Sequence, residues 1–279
     1  MITMENKSNL SLLKQVPNIQ RAREYRLYTE GGKRLVDLWL NGGSTILGHT
    51  QPNMLRELKN TASRGLYAPF PHFSEGRLLK ALLKLFPGYD FRFYAAPPME
   101  LLQKKKETID IKFWRPYVKP ENPFDIDGLP SLFIPVLPGI QTWCDRLPAG
   151  LCIIAVQAEA AQADSLLLTR LPPSDFISPL LLTAAIRGIY GILAAPQRGK
   201  PNLPRINKVL KANTSKWQRQ GIYLTLKKEA AREEWETLFH KFLEAGFLLP
   251  PIQEHPLILP AELSDGEEAK LAAALLLPN

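Results

Sequence analysis

The sequence predicts an α/β protein, with a reduced large domain around a mixed or parallel sheet and a small α+β lobe. Three observations predict it. Continuous apolar runs in the middle of the chain, "SLFIPVLP" (131–138), "GLCIIAVQ" (150–157) and "SLLLTRL" (165–171), are bounded by Pro, Gly or Asp, as in strands covered on both faces. Apolar residues at helical spacing flank them over 52–64, 74–86 and 178–193. Residues 200–279 carry a separate β-α-β-β-α pattern.

Residues 1–23 are polar with scattered Leu and read as an arm that another surface must order. A hairpin follows. Its first arm begins at Arg26, Gly31-Gly32 forms the tip, and the second arm runs from Arg34 to Leu40. The second arm meets no polar turn and enters Asn41-Gly42-Gly43, then Leu47-Gly48-His49. Pro52 to Arg64 reads as a helix with Met54, Leu55 and Leu58 apolar. Ser74 is the expected N-cap of the next helix, whose apolar face is Leu78, Leu79, Leu82, Leu83 and Phe86 and which stops at Pro87-Gly88. "DFRFYAA" (90–96) is a strand with Phe91 and Phe93 on one face, and "IDIKFWRPY" alternates as a strand does. The gaps between the middle strands leave little room for crossover helices, which take about a dozen residues. That favours a mixed sheet.

Ser178 to Leu193 is an almost wholly apolar helix. Residues 200–228 read as a basic connector, "GIYLTL" as a strand, and Glu229 to Ala245 as a helix ended by Gly246. "FLLPP" and "PLILP" are short strands, and Ser264 with Glu267 makes a capping box for a last helix reaching Leu277. The expected domains are 1–50, an arm and hairpin joining the small lobe; 51–199, the reduced large domain; and 200–279, the small lobe.

With 279 residues and 45% apolar content the chain can bury a sizeable core. Two cysteines, Cys144 and Cys152, cannot build a disulfide framework and fit a reducing compartment. No apolar leader opens the chain, and the longest apolar stretch is broken by Pro179 and Arg187, so a cytoplasmic protein without a membrane span is expected. The net charge of +8 is uneven: 200–228 holds eight Lys/Arg and no acid, while 229–279 holds ten acids and three bases. Only Trp217 sits amid the basic tract's charges, so a solvated connector is favoured and nucleic acid is not expected as a partner. The four histidines are scattered with no HxH or HxxxH pair, so no metal is expected. No P-loop, GxGxxG or GxSxG is present.

Several weak motifs in one order resemble class III aminotransferases, pyridoxal-phosphate enzymes of fold type I. They are Gly32-Lys33-Arg34-Leu35-Val36-Asp37, then Gly42 and Gly43, then Leu47-Gly48-His49 with Pro52, and the helix leading into "PGYDFRFYAA". The C-terminal β-α-β-β-α pattern resembles that family's small domain. The resemblance implies a fold type I architecture, a homodimer, and a Gly-rich segment passing close to the active site and the partner subunit.

It also implies a cofactor site whose parts are missing from this sequence. The family needs a core lysine, yet 121–199 contains none, and Arg170 stands nearest in place. A guanidinium stays protonated and cannot be the Schiff-base nucleophile. The family's phosphate cup follows the strand of "DFRFYAA", where this chain has Ala95-Ala96-Pro97-Pro98-Met99 with two prolines that lack N–H donors. The acid for the pyridinium nitrogen would fall near Gln157 or Glu159, and the segment before the last helix has His255 where the family has an arginine. The expectation is an aminotransferase-like protein that is catalytically inactive, with no catalytic residue and no cofactor, serving as a structural or regulatory partner, a homodimer that can take a further protein partner. The alternative is an enzyme or small-anion binder with an altered site, holding pyridoxal phosphate or another anion on Gly42, Gly43, Ser44, His49 and Arg170.

Overall fold

The computed structural model describes residues 12–96, 112–119, 121–139, 150–159, 171–212 and 215–276. In chain order they form β1 (Ile19–Arg23), β2 (Arg26–Thr29), β3 (Arg34–Asp37), α1 (Pro52–Ala62), α2 (Ser74–Leu85), β4 (Tyr89–Tyr94), β5 (Lys112–Trp114), β6 (Leu132–Pro135) and β7 (Cys152–Gln157). Then come α3 (Pro179–Leu193), α4 (Pro204–Lys211), β8 (Trp217–Gln220), β9 (Tyr223–Leu226), α5 (Arg232–Ala245), β10 (Phe247–Leu248), β11 (Leu257–Ile258) and α6 (Asp265–Ala274). They divide between two compact units. The first takes the described residues of Met1–Thr50, Tyr117–Pro123 and Gln197–Asn279; the second takes those of Gln51–Pro116 and Phe124–Pro196.

The second unit is built on a mixed sheet of order β4-β7-β6-β5. β7 runs antiparallel to both β4 and β6, while β5 and β6 are parallel. The antiparallel β6–β7 step explains the short gap between these strands, because it needs no crossover helix. Between the parallel β5 and β6 the chain donates residues 117–123 to the first unit. One sheet face buries Tyr94, Leu132, Ile134, Cys152, Ile154, Val156 and Leu171. The other carries an aromatic cluster in which Phe86 packs on Trp114 and Phe133 at centroid distances of 4.7 and 5.2 Å. Phe91 and Phe93 are buried on that same face. α3 packs against α1 and α2. Its Gly188 meets the chain after β6 so closely that a Cβ there would lie 1.7 Å from the Pro138 carbonyl oxygen.

The first unit has two sheets, β1-β2-β3-β10 and β11-β9-β8. Inward residues of the hairpin strands, Tyr25, Leu27, Leu35 and Asp37, are buried. β10 pairs with β3 in parallel, so the chain's two ends share one sheet. α5 buries Trp235, Leu238, Phe239 and Phe242, and ends at Gly246 in the left-handed region with φ 94°. α6 carries the expected capping box: the Ser264 Oγ accepts from the Glu267 N–H at 3.3 Å, and the Glu267 carboxylate accepts from the Ser264 N–H at 2.9 Å.

Several expectations shift in detail. Ser74 is the first helical residue of α2 rather than its N-cap, and its N–H donates to His72 Nδ1. The second hairpin arm ends at Asp37, not Leu40, because the Asp37 carboxylate captures the next two useful N–H groups. The polar arm contains β1, and the basic connector contains α4 and β8. Both were hidden because exposed strands and a short, strongly charged helix give little apolar signal. "FLLPP" and "PLILP" form strands of two residues each, in different sheets. The run 165–170 lies outside the described residues, as does Cys144. Among the described residues no single helix is long and apolar enough to cross a bilayer.

Candidate functional site

The Gly-rich segment after the hairpin is organised by Asp37, which is 2% exposed. Its Oδ1 accepts from the N–H groups of Trp39 and Leu40 at 2.9 and 2.8 Å, and its Oδ2 lies 2.9 Å from His49 Nε2. The carboxylate thus halts β3 and ties it to the "LGH" stretch. The backbone then turns through four successive residues with positive φ: Leu40 at 47°, Asn41 at 48°, Gly42 at 70° and Gly43 at 114°. Such a path strains a side-chain-bearing residue, and glycine relieves it at the last two positions. Asn41 Nδ2 donates to the buried Ser44 Oγ at 2.8 Å and fastens the turn. A Cβ on Gly42 would sit 3.7 Å from His255 Nδ1, so this turn lies against the C-terminal part of the first unit. His49 N–H donates to the Glu24 carbonyl at 2.7 Å.

Four of the five sequence-predicted positions, Gly42, Gly43, Ser44 and His49, are therefore brought together. The geometry gives them internal partners: His49 faces Asp37, and Ser44 faces Asn41. Arg170 lies outside the described residues. His255 beside Gly42 was visible in the sequence only as the residue standing where an arginine was expected. Among the described residues no cluster of His, Cys, Asp and Glu could hold a metal ion.

In the second unit, the end of β4 is closed by the segment before α3. Phe93 N–H donates to Ser174 Oγ at 3.1 Å, Asp175 N–H donates to the Phe93 carbonyl at 2.8 Å, and Ala95 N–H donates to the Asp175 carboxylate at 2.9 Å. Tyr94 Oη donates to the Pro172 carbonyl at 2.8 Å, and burial pushes its hydroxyl up to about 12. Cys152, deep in the sheet, is likewise pushed up to about 12 by burial, so its thiol is inert near neutral pH. Residues Pro97, Pro98 and Met99 lie outside the described residues.

No family model matches the chain. An uncharacterized protein of Treponema pallidum is 26% identical over 284 residues, covering 89% of this chain and 91% of that protein. A glutamate-1-semialdehyde 2,1-aminomutase of Lawsonia intracellularis is 36% identical over 72 residues, 26% of this chain and 17% of that enzyme. Among solved structures, an ornithine δ-aminotransferase of Plasmodium falciparum aligns over 96% of this chain and 97% of its own, at TM-score 0.65 and 11% identity. An acetylornithine aminotransferase from Elizabethkingia anophelis aligns over 97% of each chain, at TM-score 0.61 and 12% identity. The fold is that of the class III aminotransferases. Within this aminotransferase fold, the mixed sheet of the second unit with its helices matches the fold type I expectation.

Proposed function

We propose that this chain is an aminotransferase-fold protein without transaminase chemistry, acting as a structural or regulatory partner in a homodimer. The observation that carries the reading is the end of β4. In the family it resembles, backbone N–H groups beyond this strand receive the cofactor phosphate. Here the Ala95 N–H is already held by the Asp175 carboxylate. A carboxylate at that place repels an incoming phosphate as well as consuming its donor.

The lysines agree with this. No lysine lies on β6, β7 or α3, and every described lysine of the second unit, Lys59, Lys80, Lys84 and Lys112, is exposed. A cofactor-bearing lysine needs a site that holds its amine unprotonated, which burial supplies and an exposed surface does not. Glu159 is exposed as well, where a partner for a ring nitrogen would be enclosed. The described residues do not fit pyridoxal phosphate, and no reaction step is assigned to it.

The homodimer rests on the loop Gly65–Phe73. Tyr67, Phe70 and Phe73 are 66%, 54% and 59% exposed, so the described residues leave this aromatic loop largely uncovered. Aromatic side chains are favoured at interface cores. Sedimentation equilibrium at micromolar concentration is expected to give the dimer mass, and Tyr67→Ser with Phe70→Ser to give the monomer. A wild-type monomer would remove the dimer, and formation of a keto acid from any of the common amino donors would remove the inactive reading.

A further inference from the structure

The outer face of the β1–β3 sheet collects arginines. Strand register places Arg23 opposite Arg26, Arg21 opposite Tyr28, and Tyr28 opposite Arg34. Cross-strand partners project from the same face, so four guanidinium groups surround one tyrosine. Arg21 stacks on the Tyr28 ring at 4.4 Å. The remaining three line an open cleft of about 470 Å³, with Glu24, Tyr28, Glu262, Leu263, Ser264 and Glu267 as the other walls. The cleft lies wholly within the first unit and shares no lining residue with the Gly42–His49 turn, though its wall residue Glu24 accepts from the His49 N–H at 2.7 Å.

The charges in the cleft are not all committed. Glu267 is engaged by Arg26, whose Nε and Nη2 donate to its two oxygens at 2.9 and 2.6 Å. Arg34 reaches the same carboxylate at 3.3 Å, but its side chain is 53% exposed. Among the described residues Arg23 is paired with its neighbour Glu24 alone, at 4.0 Å, and it is 66% exposed. Glu24 also lies 3.5 Å from Arg26. Glu262 is an exposed acid on the rim. Arg26 and Glu267 thus form a fixed inner wall, and Arg23 and Arg34 extend past it on either side of β2.

We propose that this cleft is a binding site for a small phosphate-bearing ligand. Neighbouring strands lie about 5 Å apart, so Arg23 on β1 and Arg34 on β3 start about 10 Å apart across β2, a gap that two long arginine side chains can close from opposite directions. A single guanidinium suffices for a carboxylate, which offers two coplanar oxygens. A phosphate offers three or more oxygens in a tetrahedron and can engage Arg23 and Arg34 together. The Tyr28 and Ser264 hydroxyls add neutral donors beside them. The acids Glu24 and Glu262 weaken the attraction and set its limit, which gives the proposal a second handle.

The test is a calorimetric titration of the intact chain with pyrophosphate at low ionic strength, repeated with citrate. Pyrophosphate is expected to bind with a simple one-site isotherm, and more tightly than citrate. Arg23→Gln and Arg34→Gln each weaken it by about tenfold, as loss of one charge-assisted contact should; Arg23→Gln leaves the melting temperature without ligand unchanged, while Arg34→Gln lowers it slightly through the lost contact with Glu267. Glu262→Gln strengthens binding. Arg205→Gln, on the basic stretch 200–228, leaves it unchanged. No heat at millimolar pyrophosphate, wild-type affinity in the two arginine variants, or loss through Arg205→Gln would overturn the proposal.

Discussion

Both units bury an apolar core, but charge fastens distant segments more heavily in the first; the second has Arg187 donating to Glu57 at 2.6 Å. In the second, the sheet is sealed by apolar residues on both faces, and close approaches depend on the absence of a side chain at Gly188. In the first, segments far apart in sequence are fastened by charge. Two consecutive buried glutamates of α6 do much of this: Glu267 holds Arg26 and Arg34 of the hairpin, and Glu268 accepts from the Arg205 and Ile206 N–H groups at 2.7 and 3.3 Å, capping α4. The contrast shows which contacts a sequence can announce. Apolar burial leaves a pattern in neighbouring residues, whereas a carboxylate that reaches 241 positions along the chain leaves none.

The largest expected effect breaks the apolar side of this contrast. Gly188→Ala places a methyl group inside the Pro138 carbonyl, where no rotamer can move it away. It should destabilise the second unit by at least about 3 kcal/mol or prevent its folding. Hydrogen exchange should show the loss of protection on β6, β7 and α3. Wild-type protection in the variant would mean that the contact is not tight.

Glu267→Gln probes the charged side and should cost about 2 kcal/mol, read as a lower denaturant midpoint with exchange rising in β1–β3. Burial alone would push this carboxyl up, but the Arg26 hydrogen bonds and the Ser264 N–H outweigh it and hold it down to about 2. A group held below its ordinary value stabilises the fold above that ordinary value and loses the contribution as pH falls. Wild-type stability should therefore drop between about pH 4.5 and pH 2, and this part of the drop should be absent in Glu267→Gln. The same acid dependence in both proteins would assign it to other carboxylates.

The smallest effect has the opposite sign. Gly76, in the first turn of α2, has open space where a Cβ would go. Gly76→Ala should stabilise by about 0.5–1 kcal/mol through helix propensity and a less flexible unfolded chain. Thermal melts of Gly76→Ala and Gly188→Ala together separate propensity from close packing on helices of one unit.

Much of the fold was legible because its apolar runs and punctuation are local. "LFIP", "CIIAVQ", the α5 stripe of Trp235, Leu238, Phe239 and Phe242, and the Ser264–Glu267 box all appear where periodicity and capping put them. β1 and β8 were not legible, since edge strands as polar and largely exposed as "IQRAR" and "WQRQ" resemble polar linkers. The candidate site was legible in part. The Gly42–Gly43 turn follows from the glycines, but the Asp37–His49 link and the Asp175 closure of β4 join residues 12 and 80 positions apart. The arginine face emerges only once register is known, because Arg21, Arg23, Arg26 and Arg34 look like scattered surface charges in the sequence.

The central claim is that the sheet-bearing unit keeps the aminotransferase fold without its cofactor chemistry. The most direct measurement is to mix the purified protein with pyridoxal phosphate, reduce with sodium borohydride, and locate any modified lysine by peptide mass. The account predicts no visible absorbance band from an enclosed lysine, and only sparse, concentration-dependent labelling spread over exposed lysines such as Lys59, Lys80 and Lys84. A saturable visible band, fixed by borohydride on one lysine and abolished when that lysine alone is replaced, would contradict it.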